Sequence, residues 1–269
     1  VIDFPDNNHL AYHDFSVNLY IIKTSDMPLL PWQTAVITDI IQETATTRRF
    51  CFEIKEGGIF DFKPGQFVTL ELPIHEKQSK RLRSYSIASW PAQTNCFELV
   101  IVWLDGGAGT TYLFTEGKVG LEVPFRGPLG HFTLPDVIER DICMICTGTG
   151  IAPFRSQINQ LYANHIQHKE IHLVFGSRYV GDVLYHQEFV DLEAKMPGFH
   201  YHVALSRETP ATWNGYIGYV HGLYEHICSK GNRDMDFYLC GWKVMVDEAR
   251  NRLKEMGYDK DRVHLELYG

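Results

Sequence analysis

The stretch Cys146-Thr147-Gly148-Thr149-Gly150-Ile151-Ala152-Pro153-Phe154 puts a strand end, a glycine turn and a helix start in immediate succession. Just upstream, Asp141-Ile142-Cys143-Met144-Ile145 is a short apolar run, suited to a strand buried on both faces of a parallel sheet. Just downstream, Ile158, Leu161 and Tyr162 fall on one face of a helix. The two glycines let the backbone approach a ligand closely, and Pro153 suits a first helical position, where its missing donor costs nothing. Free amides and the helix dipole favour phosphate at such a start, so the stretch reads as a pyrophosphate seat. An ordinary glycine turn stays open as the alternative, because the dinucleotide fingerprint G-x-G-x-x-G would need a glycine where Pro153 stands.

Working outward, apolar strands alternate with helices from residue 141 to the end. Strands are expected at 171–175, 201–205, 236–240 and 263–267, and helices at 185–195, 221–228 and 243–256. That alternation predicts a doubly wound parallel sheet. Before it the pattern is different: short β-branched and aromatic segments at 34–42, 48–54, 84–88, 97–102 and 121–126, with Pro64-Gly65-Gln66 turning into a further strand. Such spacing predicts a small antiparallel β-barrel. The expected division is therefore an N-terminal extension of unreadable role at 1–31, with a strand candidate at 15–22, a barrel domain at 32–137 and an α/β domain at 138–269. The change of pattern near Leu134-Pro135-Asp136 marks the boundary.

The bulk properties agree with two soluble domains: 269 residues, 45% hydrophobic and 22% charged. No apolar run approaches the roughly 20 residues of a membrane span. A net charge of −8, from 25 basic and 33 acidic residues, argues against nucleic acid as a general partner. Thirteen histidines are scattered; the nearest helical pair, His165 and His168, has no ligand cluster beside it, so no metal is expected. Six cysteines without disulfide-rich spacing and without a secretory leader make the cytoplasm the expected compartment. Cys143-x-x-Cys146 has the spacing of a redox or zinc motif, but period two along a strand sends its sulfurs to opposite faces, which favours two core residues. The chain opens on Val1, which leaves open whether residues precede it.

Two more stretches carry chemistry. Arg83-Ser84-Tyr85-Ser86 combines a guanidinium, an aromatic plane and hydroxyls on one strand, with Arg83 and Tyr85 sharing a face; such a set can hold a flat, phosphorylated cofactor. Gly106-Gly107-Ala108-Gly109-Thr110-Thr111 is a second glycine turn running into a short helix, hence a second anion seat. A surface strand and a plain loop are the competing readings of these two.

The ordered set resembles the ferredoxin–NADP(H) reductase superfamily of flavin oxidoreductases, over residues 33–269. The resemblance rests on Pro64-Gly65-Gln66, Arg83-x-Tyr85-Ser86, the glycine loop at 106–109, Gly148 to Pro153, Cys240-Gly241 and the ending Glu266-Leu267-Tyr268. It implies FAD, with Arg83 toward the pyrophosphate, Tyr85 packed on the flavin, Ser86 near flavin N5, and Gly107, Gly109, Thr110 and Thr111 completing the phosphate seat. It likewise implies NAD(P)H, with Thr147, Gly148, Thr149, Gly150 and Pro153 at the pyrophosphate and Cys240 and Gly241 beside the nicotinamide, Cys240 not acting as a nucleophile. Ser86, Cys240, Glu266 and Tyr268 are the expected catalytic set. Tyr268 would cover the flavin, although Gly269 follows it where plant-type members end on the aromatic; Leu265, Leu267 and Tyr268 as the end of a core strand is the competing reading.

Ser206-Arg207 resembles the pair with which members recognise the 2′-phosphate of NADPH, a dianion suited to arginine. Residues 213–220 instead resemble oxygenase reductases that often use NADH, so NADPH is favoured and NADH kept. The expected activity is reduction of FAD by NADPH followed by single-electron delivery to a protein acceptor: a ferredoxin, a flavodoxin or an oxygenase component. An NADH-preferring oxygenase reductase, a reductase of free flavin or quinone, and a non-catalytic flavin-binding redox sensor are the alternatives. No C-x4-C-x2-C iron–sulfur spacing occurs, so the acceptor centre is expected on another molecule, or on a fused domain if the chain is part of a longer one.

Overall fold

A computed structural model describes residues 30–230 and 234–268, with only the backbone of Tyr268. The strand expected at 15–22, most of the N-terminal extension and the Tyr268 ring lie outside the described residues.

Six strands, β1 (Gln33–Thr44), β2 (Thr47–Ile54), β3 (Phe67–Glu71), β4 (Leu82–Ser86), β5 (Cys96–Val102) and β6 (Glu122–Leu129), form one antiparallel sheet. Its order is β4-β3-β6-β1-β2-β5, and a bridge between Ile87 and Leu99 joins the two edges into a barrel. Alternation along β2 buries Phe50, Phe52 and Ile54 while Arg49 and Cys51 are more accessible. Phe52, Phe60, Phe97 and Phe125 fill the interior, with ring centroids 5.1 Å apart for Phe52–Phe97 and 5.2 Å for Phe97–Phe125. Each such ring contributes about 1.5–3 kcal/mol by burial. β4 starts and ends two residues earlier than the expected 84–88, because Ile87 and Ala88 already turn across to β5. Helix α1 (Ala108–Thr115) plugs the barrel with the fully buried Leu113.

The second sheet is parallel throughout, in the order β10-β9-β8-β7-β11-β12. Its strands are β7 (Asp141–Thr147), β8 (Ile171–Ser177), β9 (Phe199–Leu205), β10 (Tyr216–Ile217), β11 (Met235–Trp242) and β12 (Val263–Tyr268). Helices α2 (Ile151–Ala163) and α3 (His186–Lys195) cover one face, and α4 (Val220–Lys230) and α5 (Lys243–Glu255) the other. Ile142 to Cys146 are buried on both sides, which accounts for the unbroken apolar run, and Cys143 and Cys146 enter opposite cores. From β7 the chain steps outward through β8 and β9, then returns to β11 on the other side. Strand order therefore reverses between β7 and β11, where open α/β sheets form a ligand crevice at the carboxyl ends.

Two local expectations are corrected. A 3-10 turn, Gly148–Gly150, precedes α2, so Pro153 is the third helical residue, not the first; it still lies within the first turn, whose amides have no intrahelical acceptor. Tyr162 is 37% exposed and does not share the burial of Ile158 and Leu161. Instead, the buried side of α2 runs without interruption from Ile151 to Asn159 and includes Arg155, Ser156 and Gln157, because the helix is covered by the barrel as well as by its own sheet.

Candidate functional site

The carboxyl ends of β7, β11 and β12 bring two expected site residues, Cys240 and Glu266, into one row with Cys146. Cys146 pairs in register with Cys240, and Cys240 with Glu266. From the end of that row the Glu266 carboxylate reaches the barrel: Ser86 Oγ donates to Glu266 Oε2 at 3.1 Å, across 180 residues of sequence. Burial pushes the Glu266 carboxyl up from 4.5 to about 7, with the Ser86 hydrogen bond pulling the other way. The strand that carries Ser86 is tied to the Pro64-Gly65-Gln66 turn, since Ser86 pairs with Phe67 and the Ile87 amide donates to the Gln66 carbonyl at 3.0 Å. Gly65 itself has φ +98°, and a Cβ there would stand 1.9 Å from the Phe132 carbonyl oxygen, so only glycine fits.

On the α/β side the glycines have separate reasons. Gly150 lies so close to β11 that a Cβ would meet the Cys240 carbonyl oxygen at 2.4 Å, and one on Gly241 would meet Thr147 Oγ1 at 2.6 Å. These two glycines let the turn seat against Cys240. Gly148 is different: its φ is +55° and nothing lies within 4 Å of a Cβ position, so it supplies conformation and open space. Thr147 Oγ1 is buried and has no hydrogen-bond partner. An orphaned hydroxyl, an open left-handed glycine with Thr149 beside it, and the first turn of a 13-residue helix containing Pro153 fit an anionic pyrophosphate.

On the barrel side, Arg83 and the second glycine loop are brought together. The Arg83 stem packs on Gly109, where a Cβ would stand 2.9 Å from Cγ, and Nη1 donates to the Lys80 and Leu82 carbonyls at 3.0 and 2.7 Å. Among the described residues the rest of the fork has no hydrogen-bond partner. Burial pushes the Tyr85 hydroxyl up to about 12, against the pull of the Arg83 charge, so this ring presents a neutral, largely buried plane. Thr110 Oγ1 braces the loop: it accepts from the Leu104 amide and donates to the Leu104 or the Gly107 carbonyl. Gly107 caps α1 through its backbone, and Thr111 is exposed on the first turn.

Ser206 and Arg207 follow β9. Ser206 is held to the Ser177 carbonyl through its amide at 3.0 Å and Oγ at 3.3 Å, and Arg207 is exposed. Sequence reading missed their neighbour: the Arg207 amide donates to the Arg178 carbonyl at 3.0 Å, so a second exposed arginine sits on the adjoining loop. Among the described residues neither guanidinium has an ion-pair or hydrogen-bond partner. Nothing in the spacing betrays this pair, which exists because β8 and β9 are adjacent. Leu265 and Leu267 are exposed on the edge strand β12, which removes them from the core, while Tyr268 pairs in register with Trp242. Among the described residues no group of three His, Cys, Asp or Glu is arranged to hold a metal ion, and no helix is long and apolar enough to cross a membrane.

Comparison with known proteins gives matching assignments to the two halves. The family model of the oxidoreductase FAD-binding domain matches residues 34–134, and that of the oxidoreductase NAD-binding domain matches residues 144–251. Ferredoxin–NADP reductase B of Sorangium cellulosum is 33% identical over 228 residues, 82% of this chain and 91% of that protein. The glycine betaine monooxygenase reductase subunit of Pseudomonas aeruginosa is 30% identical over 231 residues, 86% of this chain; the chain spans only 62% of that relative's length. Among solved structures, the Amycolatopsis cytochrome P450 reductase GcoB superposes with a TM-score of 0.79 at 28% identity, over 88% of this chain and 70% of that one. The chain belongs to the ferredoxin–NADP(H) reductase superfamily, with its antiparallel barrel in the half that matches the FAD-binding model and its doubly wound sheet in the half that matches the NAD-binding model.

Proposed function

We propose that this protein takes reducing equivalents from NADPH and delivers electrons singly to a separate redox protein, a ferredoxin, a flavodoxin or an oxygenase component. The observation that carries the reading is the Ser86–Glu266 hydrogen bond, because it joins the barrel strand to the strand ends at the switch crevice. Bound FAD supplies hydride acceptance and one-electron release. The chain's residues do the rest. Arg83, Gly107, Gly109 and the α1 start hold the FAD phosphates, and Tyr85 packs on the ring. Thr147 to Pro153 hold the nicotinamide dinucleotide pyrophosphate. Cys240 and Gly241 form the floor beside the nicotinamide, Ser86 and Glu266 offer a hydroxyl and a proton-holding carboxyl near the reacting atoms, and Tyr268 closes the flavin face. The domain boundary belongs to the same reading, with 32–137 binding FAD and 138–269 binding the dinucleotide. Six free cysteines fit a cytoplasmic setting.

Supporting NADPH over NADH are two exposed arginines, Arg178 and Arg207, on adjoining loops joined by a backbone hydrogen bond, since a pair of guanidiniums suits a 2′-phosphate dianion. Replacing Arg207 by alanine should lower kcat/KM for NADPH about tenfold or more, ~1.4 kcal/mol, and spare NADH. Equal losses with both nucleotides would show that Arg207 does not read the phosphate. A second reading, an oxygenase reductase working with NADH, is favoured by similarity to the glycine betaine monooxygenase reductase subunit. It predicts a higher kcat/KM with NADH in the unmutated protein.

A further inference from the structure

Arg155 is the only Lys, Arg, Asp or Glu buried among the described residues, at 4% exposure. Its Nε donates to both oxygens of Glu188 at 2.9 and 3.0 Å, and Glu188 is on α3 of the same α/β domain. Its Nη1 crosses to the barrel, donating to Glu98 Oε2 on β5 at 2.7 Å and to the Ala88 carbonyl at 3.1 Å. The guanidinium lies 4.4 Å from the Tyr185 ring centroid and 5.4 Å from that of Trp90. Each carboxylate is itself held: Asn159 donates to Glu188 at 2.8 Å, and Arg49 donates to Glu98 at 3.2 Å while pairing with Glu43 at 2.7 Å. One planar group thus bridges two domains through a closed network.

The stability of the fold does not account for this arrangement. Burying an ion network costs several kcal/mol of desolvation, and well-packed apolar side chains in its place are often as stable or more so. What a planar fork gripped on two sides provides is a fixed direction. The ends of the bridge are also informative. Ala88 lies two residues after Ser86 on the flavin strand, and Arg155 lies two residues after Pro153 on the dinucleotide helix. Each end of the bridge is therefore two residues along the chain from a residue of one seat.

We propose that Arg155, through Glu98 and the Ala88 carbonyl, is a positioning residue that sets the register between the dinucleotide seat and the flavin strand, and thereby the rate of hydride transfer, without touching either cofactor. The inference rests on the hydride-transfer reading above. Displacement of reacting groups by about 1 Å costs on the order of a hundredfold in rate, so the effect belongs in the limiting rate and not in affinity.

The test uses the FAD-loaded full chain and the variants Glu98→Gln, Glu98→Asp and Glu188→Gln. Stopped-flow mixing with NADPH gives the limiting rate of flavin reduction and the apparent Kd. Titration of the oxidised protein with NADP+, which cannot react, gives a difference absorption spectrum that reports nicotinamide–flavin stacking without turnover. Both Glu98 variants should lose roughly ten- to a hundredfold in limiting rate and weaken the stacking spectrum, with Kd within about threefold of the parent. Glu188→Gln, which loosens the arm inside one domain, should keep the rate within about threefold. Unchanged rates and spectra in the Glu98 variants, equal losses in all three, or losses that appear only in Kd would each overturn the proposal. An unmutated protein that neither NADPH nor NADH reduces would instead remove the hydride-transfer reading beneath it.

Discussion

Glu266 is a carboxyl whose burial and single hydrogen bond to Ser86 make its protonation informative about the closed site. Its value in the folded protein, about 7, lies above the ordinary 4.5, so between these pH values the folded protein binds this proton and the unfolded chain does not. The stability it contributes is fully present below pH 4.5 and is lost as pH rises through about 7, a difference of at most about 3 kcal/mol. Glu266→Gln keeps the shape and removes the titration. Denaturant unfolding from pH 5 to 8 should show the variant gaining on the parent as pH rises; parallel curves would show that the carboxyl is not held in a desolvated pocket. Arg178 makes a second residue-scale expectation. Its alanine variant should reproduce the NADPH-selective loss of Arg207→Ala, at about tenfold in kcat/KM, since both guanidiniums stand free on adjoining loops. Loss with NADH as well, in steady-state kinetics, would place Arg178 outside phosphate recognition.

At the scale of elements, the glycine turns act through close approach, and each contact makes a variant readable. In Gly150→Ala the new methyl would collide with the Cys240 carbonyl, so the turn must lift from β11. Dinucleotide affinity should fall at least tenfold by titration with NADP+, while FAD retention is unchanged because the barrel is not involved. Gly65→Ala meets the Phe132 carbonyl and adopts a left-handed φ, and should cost about 2 kcal/mol or more in unfolding. Period and composition made most of these elements legible: β7 as a doubly buried strand, the short strands of the barrel, and the helix after the glycine loop at 106–109 all carry local signals. Less legible was whatever depended on a neighbour. The Pro153 position shifted because a 3-10 turn intervened, Tyr162 was left accessible because α2 is buried on its other sides, and β10, only two residues long, carries too little pattern to be seen. Nor does sequence show that the Thr110 hydroxyl closes its own loop, a contact that exists only because Leu104 and Gly107 fold back on it.

Across the whole molecule, the candidate site is built from contacts between segments that sequence order keeps far apart. Ser86 with Glu266, Arg155 with Glu98, and Arg207 with Arg178 each join separate elements; Ser86, Glu266 and Arg207 were singled out from the sequence through family resemblance, but none of the three pairings was. The fold was legible because hydrophobic period is local; the Arg155 bridge was not, because a lone arginine in an amphipathic helix normally reads as surface. The proposed picture is of two nucleotide seats, on a barrel and at the switch point of a parallel sheet, with a buried guanidinium bridging the two domains. Anaerobic mixing of the purified, FAD-loaded protein with excess NADPH tests that picture most directly. It predicts rapid bleaching of the flavin absorbance with a rate that saturates in NADPH, and reoxidation when a ferredoxin, a flavodoxin or an oxygenase component is added. A flavin that stays oxidised with both NADPH and NADH would contradict it.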